Sequence, residues 1–333
     1  MRLLDGGDLS RLLDMGDCIR EVENAFRARG EGRPAPSAVV GLEVSGGSLH
    51  AKLGALDLAR PYAVAKVNAN YPDNPSMHGL PVIQGLVVLF DASSGEPLAC
   101  MDSAIITAMR TAAASAVAAR YLAVSHASSA CLIGCGTQAR AHVQALRRVR
   151  PVNRFVLFDR DPAAAEEFAT LLRRDQVRVT VADDVRQAAL SSEIVVTSTP
   201  SRTALLDVGH VAPGTFVSAV GADNEHKQEI APSLLRAAVV IVDDLDQCSR
   251  IGDLHHALEQ GIMRRDDVRA SLDQIVAGTS DGRRADDEIV VFDSTGVAIE
   301  DVAVAALAYE RAEATGTGVI VDRTSAVHQR PIQ

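Results

Sequence analysis

Beyond about residue 128 the apolar positions gather into short runs with little polar alternation, and helical patterns separate most of them. The runs are Ala130-Cys-Leu-Ile, Arg154-Phe-Val-Leu-Phe, Val177–Val181, Glu193–Thr199, Thr215–Gly221, Ala238–Asp243 and Glu288–Phe292. Strands without polar alternation are covered on both faces, so this half of the chain predicts a doubly wound parallel sheet. The first 125 residues follow another rhythm. A helix over Asp17–Arg29 carries Ile19, Val22 and Phe26 on one face, and strand-like runs follow at Ser37–Val44, Ser48–Leu53, Tyr62–Asn68 and Leu86–Phe90. Turn-forming clusters such as Tyr71-Pro-Asp-Asn-Pro and Asp91-Ala-Ser-Ser-Gly divide them, which predicts an α+β domain. An alanine-rich helix over roughly 103–123 leads into the parallel sheet, and a last helix over about 297–314 returns from it.

The predicted organisation is therefore an α/β chain of two domains. Residues 1–125 with 297–333 form an α+β unit, and 126–296 form a doubly wound unit of Rossmann type. A chain of 333 residues is long for one domain and natural for two.

One of the apolar runs ends in a motif that carries chemistry. Ala130-Cys-Leu-Ile runs straight into Gly134-Cys-Gly-Thr-Gln-Ala, a G-x-G-x-x-A sequence at the start of a helical pattern. Gly134 permits the tight turn, Gly136 lets backbone approach a pyrophosphate, and Ala139 keeps helix and strand close. The anion would meet the N–H groups of the helix N-terminus, Thr137 and Gln138 among them. Asp159 closes the next strand at the distance expected of a ribose-binding acid, which favours NAD over NADP because a carboxylate repels a 2′-phosphate. Arg160 beside it could accept that phosphate.

Ligands of such a sheet lie beyond the carboxyl ends of its strands. That rule adds Thr199, Val220, Gly221, Asp223, Ser294 and Gly296 to the expected cofactor contacts, with Thr111 from the preceding helix. Asp223 would face the nicotinamide crevice; a loop acid capping the next helix is the alternative. In the first domain Lys66 stands in Ala63-Val-Ala-Lys-Val, where burial would make it a proton donor near neutrality. An edge lysine reaching to water is its other reading. Arg110 shares a helix face with Ile106, Ala114 and Val117, so it needs an anion, either a substrate carboxylate or an internal partner. Lys52 offers a second cation.

Composition narrows the partners. The chain is 47% apolar and 23% charged with a net charge of −10, an ordinary globular balance that disfavours nucleic acid and anionic membrane. Five cysteines, at 18, 100, 131, 135 and 248, form no metal-binding spacing, so no metal is expected and the thiols should be reduced. With no basic-then-apolar leader and no apolar run near ~20 residues, a cytoplasmic location is expected.

Taken together, Lys66-Val-Asn-Ala-Asn-Tyr-Pro-Asp-Asn-Pro, Gly79-Leu-Pro, Leu89-Phe-Asp, Thr107-Ala-Met-Arg-Thr-Ala-Ala-Ala, the glycine motif and Phe292-Asp-Ser-Thr-Gly resemble the ornithine cyclodeaminase/mu-crystallin family. The resemblance runs in order over nearly the whole chain. It implies a homodimer built through the N-terminal domains, and NAD-dependent hydride transfer at Cα of an α-amino or α-imino acid. By position Lys66 resembles the family's active-site lysine, Arg110 its carboxylate-binding arginine and Asp223 the acid that handles the substrate nitrogen. Lys52, Lys66, Arg110 and Gln84 form the expected substrate-binding set. Two departures stand out. Lys52 falls where many members have arginine, and Asn224-Glu225-His226-Lys227 replaces a Pro-Gly-Lys turn common in cyclodeaminases. They favour an imine reductase or amino-acid dehydrogenase; a cyclodeaminase acting on ornithine or lysine, and a non-catalytic nucleotide- or ligand-binding protein, are the alternatives.

Overall fold

A computed structural model describes residues 1–322, so the end of the expected 297–333 segment lies outside the described residues. In chain order the strands are β1 (Arg2–Leu4), β2 (Ser37–Val44), β3 (Gly47–Asp57), β4 (Pro61–Asn70), β5 (Ile83–Asp91), β6 (Pro97–Asp102), β7 (Ser129–Ile133), β8 (Arg154–Phe158) and β9 (Arg178–Val181). They continue as β10 (Ile194–Thr197), β11 (Arg202–Leu206), β12 (Phe216–Ala219), β13 (Gln228–Ile230), β14 (Val239–Val242), β15 (Ala270–Ser271), β16 (Val290–Asp293) and β17 (Val319–Ile320).

Two compact units emerge. One comprises residues 1–14, 34–107 and 301–322; the other comprises 15–33 and 108–300. The divisions fall inside two long helices, Ser103–Leu122 and Ala298–Thr315.

The larger unit is a Rossmann domain. Its eight strands run parallel in the order β15-β14-β16-β12-β10-β7-β8-β9, so the order in which strands are added reverses between β7 and β10. Burial explains the apolar runs: every residue of β7, β10, β12 and β16 is buried, as a sheet covered on both faces requires. Two short strands, β11 and β13, pair as a separate ribbon.

The smaller unit holds a seven-stranded sheet in the order β17-β1-β6-β5-β4-β3-β2, antiparallel from β6 to β2. Here alternation does the sorting. Tyr62, Val64 and Lys66 of β4 are buried, with Leu56 of β3 and Val87 and Leu89 of β5. The register puts Val40, Leu42, Leu53, Val67 and Leu86 on the opposite face, and all five are exposed, Val40 at 61%.

Candidate active site

The glycine motif forms a cradle. Gly134 has φ +95°, and a Cβ there would lie 2.7 Å from Ser198 O, so both the turn and the neighbouring loop demand glycine. Gly136 is the N-cap of the Thr137–Val149 helix; no side chain caps it, and a Cβ would meet nothing within 4 Å. Ala139 is fully buried. Open backbone N–H groups at a helix N-terminus suit a pyrophosphate. Gln138 Oε1, buried without a hydrogen-bond partner among the described residues, adds a polar atom awaiting a ligand.

Asp159 lies just past β8, where the sequence places it. Its Oδ2 accepts from Cys135 N at 2.8 Å and its Oδ1 from Asp161 N at 2.9 Å, so one carboxylate fixes the glycine turn and the start of the next loop. Arg160 is exposed beside it.

Across the reversal, Thr199 and Gly221 follow β10 and β12. These turns touch closely, since a Cβ on Gly221 would lie 2.4 Å from Thr199 O. Glu229, which sequence reasoning missed, lies beneath both and accepts four hydrogen bonds, from Thr197 Oγ1, Thr199 N, Thr199 Oγ1 and Gly221 N. Its burial raises the carboxyl above its ordinary value, and those bonds pull it back.

Asp223 is half exposed and pairs with Lys227 Nζ at 2.7 Å. No helix follows it; the chain enters β13. The capping alternative for Asp223 therefore has no helix to cap.

Arg110 is 6% exposed in the Ser103–Leu122 helix, and its Nη1 donates to Oε2 of fully buried Glu300 at 2.9 Å. The internal ion pair left open by the sequence is thus present. Gly296, at φ +76°, makes room for it: a Cβ there would lie 2.2 Å from Arg110 Nη1. Ser294 is buried with its hydroxyl on Asp243, and Gly296 N donates to the same acid at 2.6 Å. The Ser-Thr-Gly turn is therefore tied inward and supports Arg110.

In the sheet unit, Lys66 is 3% exposed and β4 is an interior strand, which removes the edge-lysine alternative. Its ammonium pairs with buried Asp301 at 2.8 Å. Glu300 and Asp301 were missed, although two consecutive acids inside the apolar run Val297-Ala-Ile-Glu-Asp-Val-Ala were a visible signal. Lys52 stands directly across from Lys66 in the β3–β4 register, on the same face. Gln84 does not join them. It pairs with Ala69, one residue out of phase with Lys66, so it belongs to the exposed apolar face.

No zinc-type spacing is visible in the sequence, yet His255, His256 and Glu259 bring donor atoms within 4.8 Å of one another. Both imidazoles are already engaged on backbone carbonyls, His255 with Gly252 and His256 with Lys227. A cleft of about 420 Å³ lined by Ser129, Glu193 and Thr215 lies at the amino ends of the strands, the wrong end for a ligand of this fold.

The profile of the ornithine cyclodeaminase/mu-crystallin family matches residues 4–316. The chain belongs to that family. An alanine dehydrogenase of Archaeoglobus fulgidus is 36% identical over 316 residues, 95% of this chain and 96% of that one. Among solved structures, an archaeal alanine dehydrogenase dimer with bound NAD superposes with a TM-score of 0.91 at 36% identity, covering 97% of this chain and 99% of that one. The Δ1-pyrroline-2-carboxylate reductase of Thermococcus litoralis, in complex with NADH and L-proline, gives a TM-score of 0.91 at 32% identity, covering 96% and 100%. Among the described residues, no helix of this family member is long and apolar enough to cross a membrane.

Proposed function

We propose that this chain is an NAD-dependent oxidoreductase acting at Cα of an α-amino or α-imino acid, as an imine reductase or amino-acid dehydrogenase. One observation carries the reading: Lys52 and Lys66 stand directly opposite on the inner face of an antiparallel sheet. Two cations on one face make a positive surface that suits a substrate anion, with Lys66 held in place by Asp301. Similarity to an NAD-bound alanine dehydrogenase and to a reductase holding NADH and proline supports the same chemistry.

The cofactor supplies the hydride acceptor or donor. Its pyrophosphate suits the Gly134–Ala139 cradle, its adenosine ribose suits Asp159, and the turns at Thr199 and Gly221 remain for the nicotinamide half. Asp159 favours NAD over NADP.

Arg110, steadied by Glu300 and Gly296, takes the substrate carboxylate, which orients Cα; positioning of this kind contributes several kcal/mol to lowering a barrier. Lys66, with Asp301 behind it, polarises or protonates the substrate. Asp223, presented at a half-exposed position by Lys227, exchanges a proton with the substrate nitrogen as it changes between amine and iminium. Cyclodeaminase action stays the second reading. Lys52 and the loop Asn224–Lys227 argue for a cofactor consumed and released each cycle.

The exposed apolar face of the small sheet fits a second copy of the chain, so the active form is a cytoplasmic homodimer built through the N-terminal unit. A panel of cyclic imino acids, and of oxo acids with amines, followed by the absorbance of reduced nicotinamide, tests the proposal. Stoichiometric oxidation of NADH with one substrate supports it, and no turnover with any member of the panel counts against it.

A further inference from the structure

The two ends of the cofactor crevice treat their backbone N–H groups in opposite ways. At the glycine turn the first amides of the Thr137–Val149 helix have no side-chain cap. At the ends of β10, β12 and β16 the amides are taken by buried acids. Glu229 Oε1 accepts from Thr199 N at 2.6 Å and Thr199 Oγ1 at 2.7 Å. Its Oε2 accepts from Thr197 Oγ1 at 2.7 Å and Gly221 N at 2.8 Å.

We propose that Glu229 is a positioning residue for the nicotinamide half of the cofactor, clamping the Thr199 and Gly221 turns at a fixed spacing without touching the ligand. The inference rests on the NAD reading above. Three observations support it. Glu229 is fully buried, so its charge is not available to a ligand. A Cβ on Gly221 would lie 2.5 Å from the Glu229 carboxyl, so the carboxylate sits directly against the turn it holds. Glu229 is itself anchored: Asp253 Oδ1 accepts from Glu229 N at 2.7 Å and Ile230 N at 2.8 Å, and Asp293 accepts from Leu254 N at 2.8 Å. The clamp therefore reaches the end of β16 through backbone rather than resting on a mobile loop.

Side-chain chemistry explains why the residue is a carboxylate. Thr199 N and Gly221 N can only donate, and they approach different oxygens. Glutamine fills the same volume but sets an N–H group against one of these donors, which forces that turn away. Charge-assisted bonds of this type are stronger than neutral ones, so the loss spreads to the spacing of both turns.

The test compares whole and truncated cofactor. Dissociation constants for NADH, by its fluorescence, and for ADP-ribose, by calorimetry, are measured on the full chain and on Glu229→Gln. ADP-ribose uses the open amides and Asp159 but not the clamped turns. The expected result is NADH binding weakened roughly tenfold, the loss of about one charge-assisted hydrogen bond, with ADP-ribose within about twofold of the parent protein. Thr197→Val, which keeps shape and removes one of the four bonds, should shift NADH alone in the same direction by a smaller factor, and it carries the test if Glu229→Gln does not fold. Unchanged NADH affinity would overturn the clamp, and so would an equal loss for both ligands, which is the signature of general damage. A parent protein that binds neither ligand would instead overturn the NAD reading on which the clamp stands.

Discussion

The two large sheets solve burial differently. In the parallel sheet every residue of β7, β10, β12 and β16 is covered, whereas the antiparallel sheet covers one face and exposes Val40, Leu42, Leu53, Val67 and Leu86 on the other. The parallel sheet is complete in itself, and its strand ends become turns built around glycine and buried acid. The antiparallel sheet uses its alternation twice: β3 and β4 turn Lys52 and Lys66 inward and Leu53 and Val67 outward. The proposed function places substrate chemistry and self-association on opposite faces of the same strands. A one-residue slip would exchange them.

The sharpest way to separate holding the cofactor from doing chemistry is Asp223→Asn. Turnover should fall by roughly 10²- to 10⁴-fold, the usual contribution of a general acid or base, while NADH binding stays near the parent value by titration. Comparable turnover would remove Asp223 from the mechanism.

The antiparallel side of the comparison breaks at the exposed face. Val67→Asp places a charge in the centre of the apolar patch, where burial without a partner costs at least a few kcal/mol. Light scattering should then show monomer at concentrations where the parent is dimeric. An unchanged mass would mean that this face is not the interface.

Gly296→Ala tests whether the Ser-Thr-Gly turn supports Arg110. The positive φ and the contact with the guanidinium both oppose a methyl group, so stability should drop by about 1–3 kcal/mol and KM for substrate should rise more than KM for NADH. Equal effects on both would deny the link to Arg110.

A smaller effect concerns pH. His142, fully buried, lies with Nε2 2.9 Å from Ser115 Oγ, which in turn accepts from Ser218 Oγ at 2.9 Å. Burial pushes its imidazole down from 6.5 to about 4, so the unfolded chain binds that proton first. Its contribution to stability is complete above about pH 6.5 and is lost as pH falls toward 4, at most about 3 kcal/mol. Denaturant midpoints of the parent and of His142→Gln should therefore converge over that range. Parallel curves would mean that His142 does not titrate as described.

What the sequence made legible follows from the same contrast. Strands covered on both faces announce themselves as apolar runs, and β7, β8, β10, β12, β14 and β16 all lie within or close to the expected spans. Strands of two or three residues, such as β1, β13, β15 and β17, are too short to carry a period. β6 opens on a proline and was likewise hidden. Lys66 and Arg110 were visible as cations in apolar surroundings, but their partners Asp301 and Glu300 are 235 and 190 residues away, and no local pattern encodes such a pairing. Glu229 looked like one more polar residue in Lys227-Gln-Glu, because its importance lies in turns that only the fold brings to it. Gln84 was misplaced for want of register: only the pairing with Ala69 shows which face it takes.

Hydride transfer at Cα with cofactor released at every turnover is the central claim, and isotope transfer tests it most directly. NADH deuterated at C4 on the transferred side, supplied with an imino acid selected from the panel, should deliver one deuterium to Cα of the amino acid for each NADH oxidised. Conversion of ornithine to proline and ammonia with a catalytic quantity of NAD and no net change in nicotinamide absorbance would contradict it.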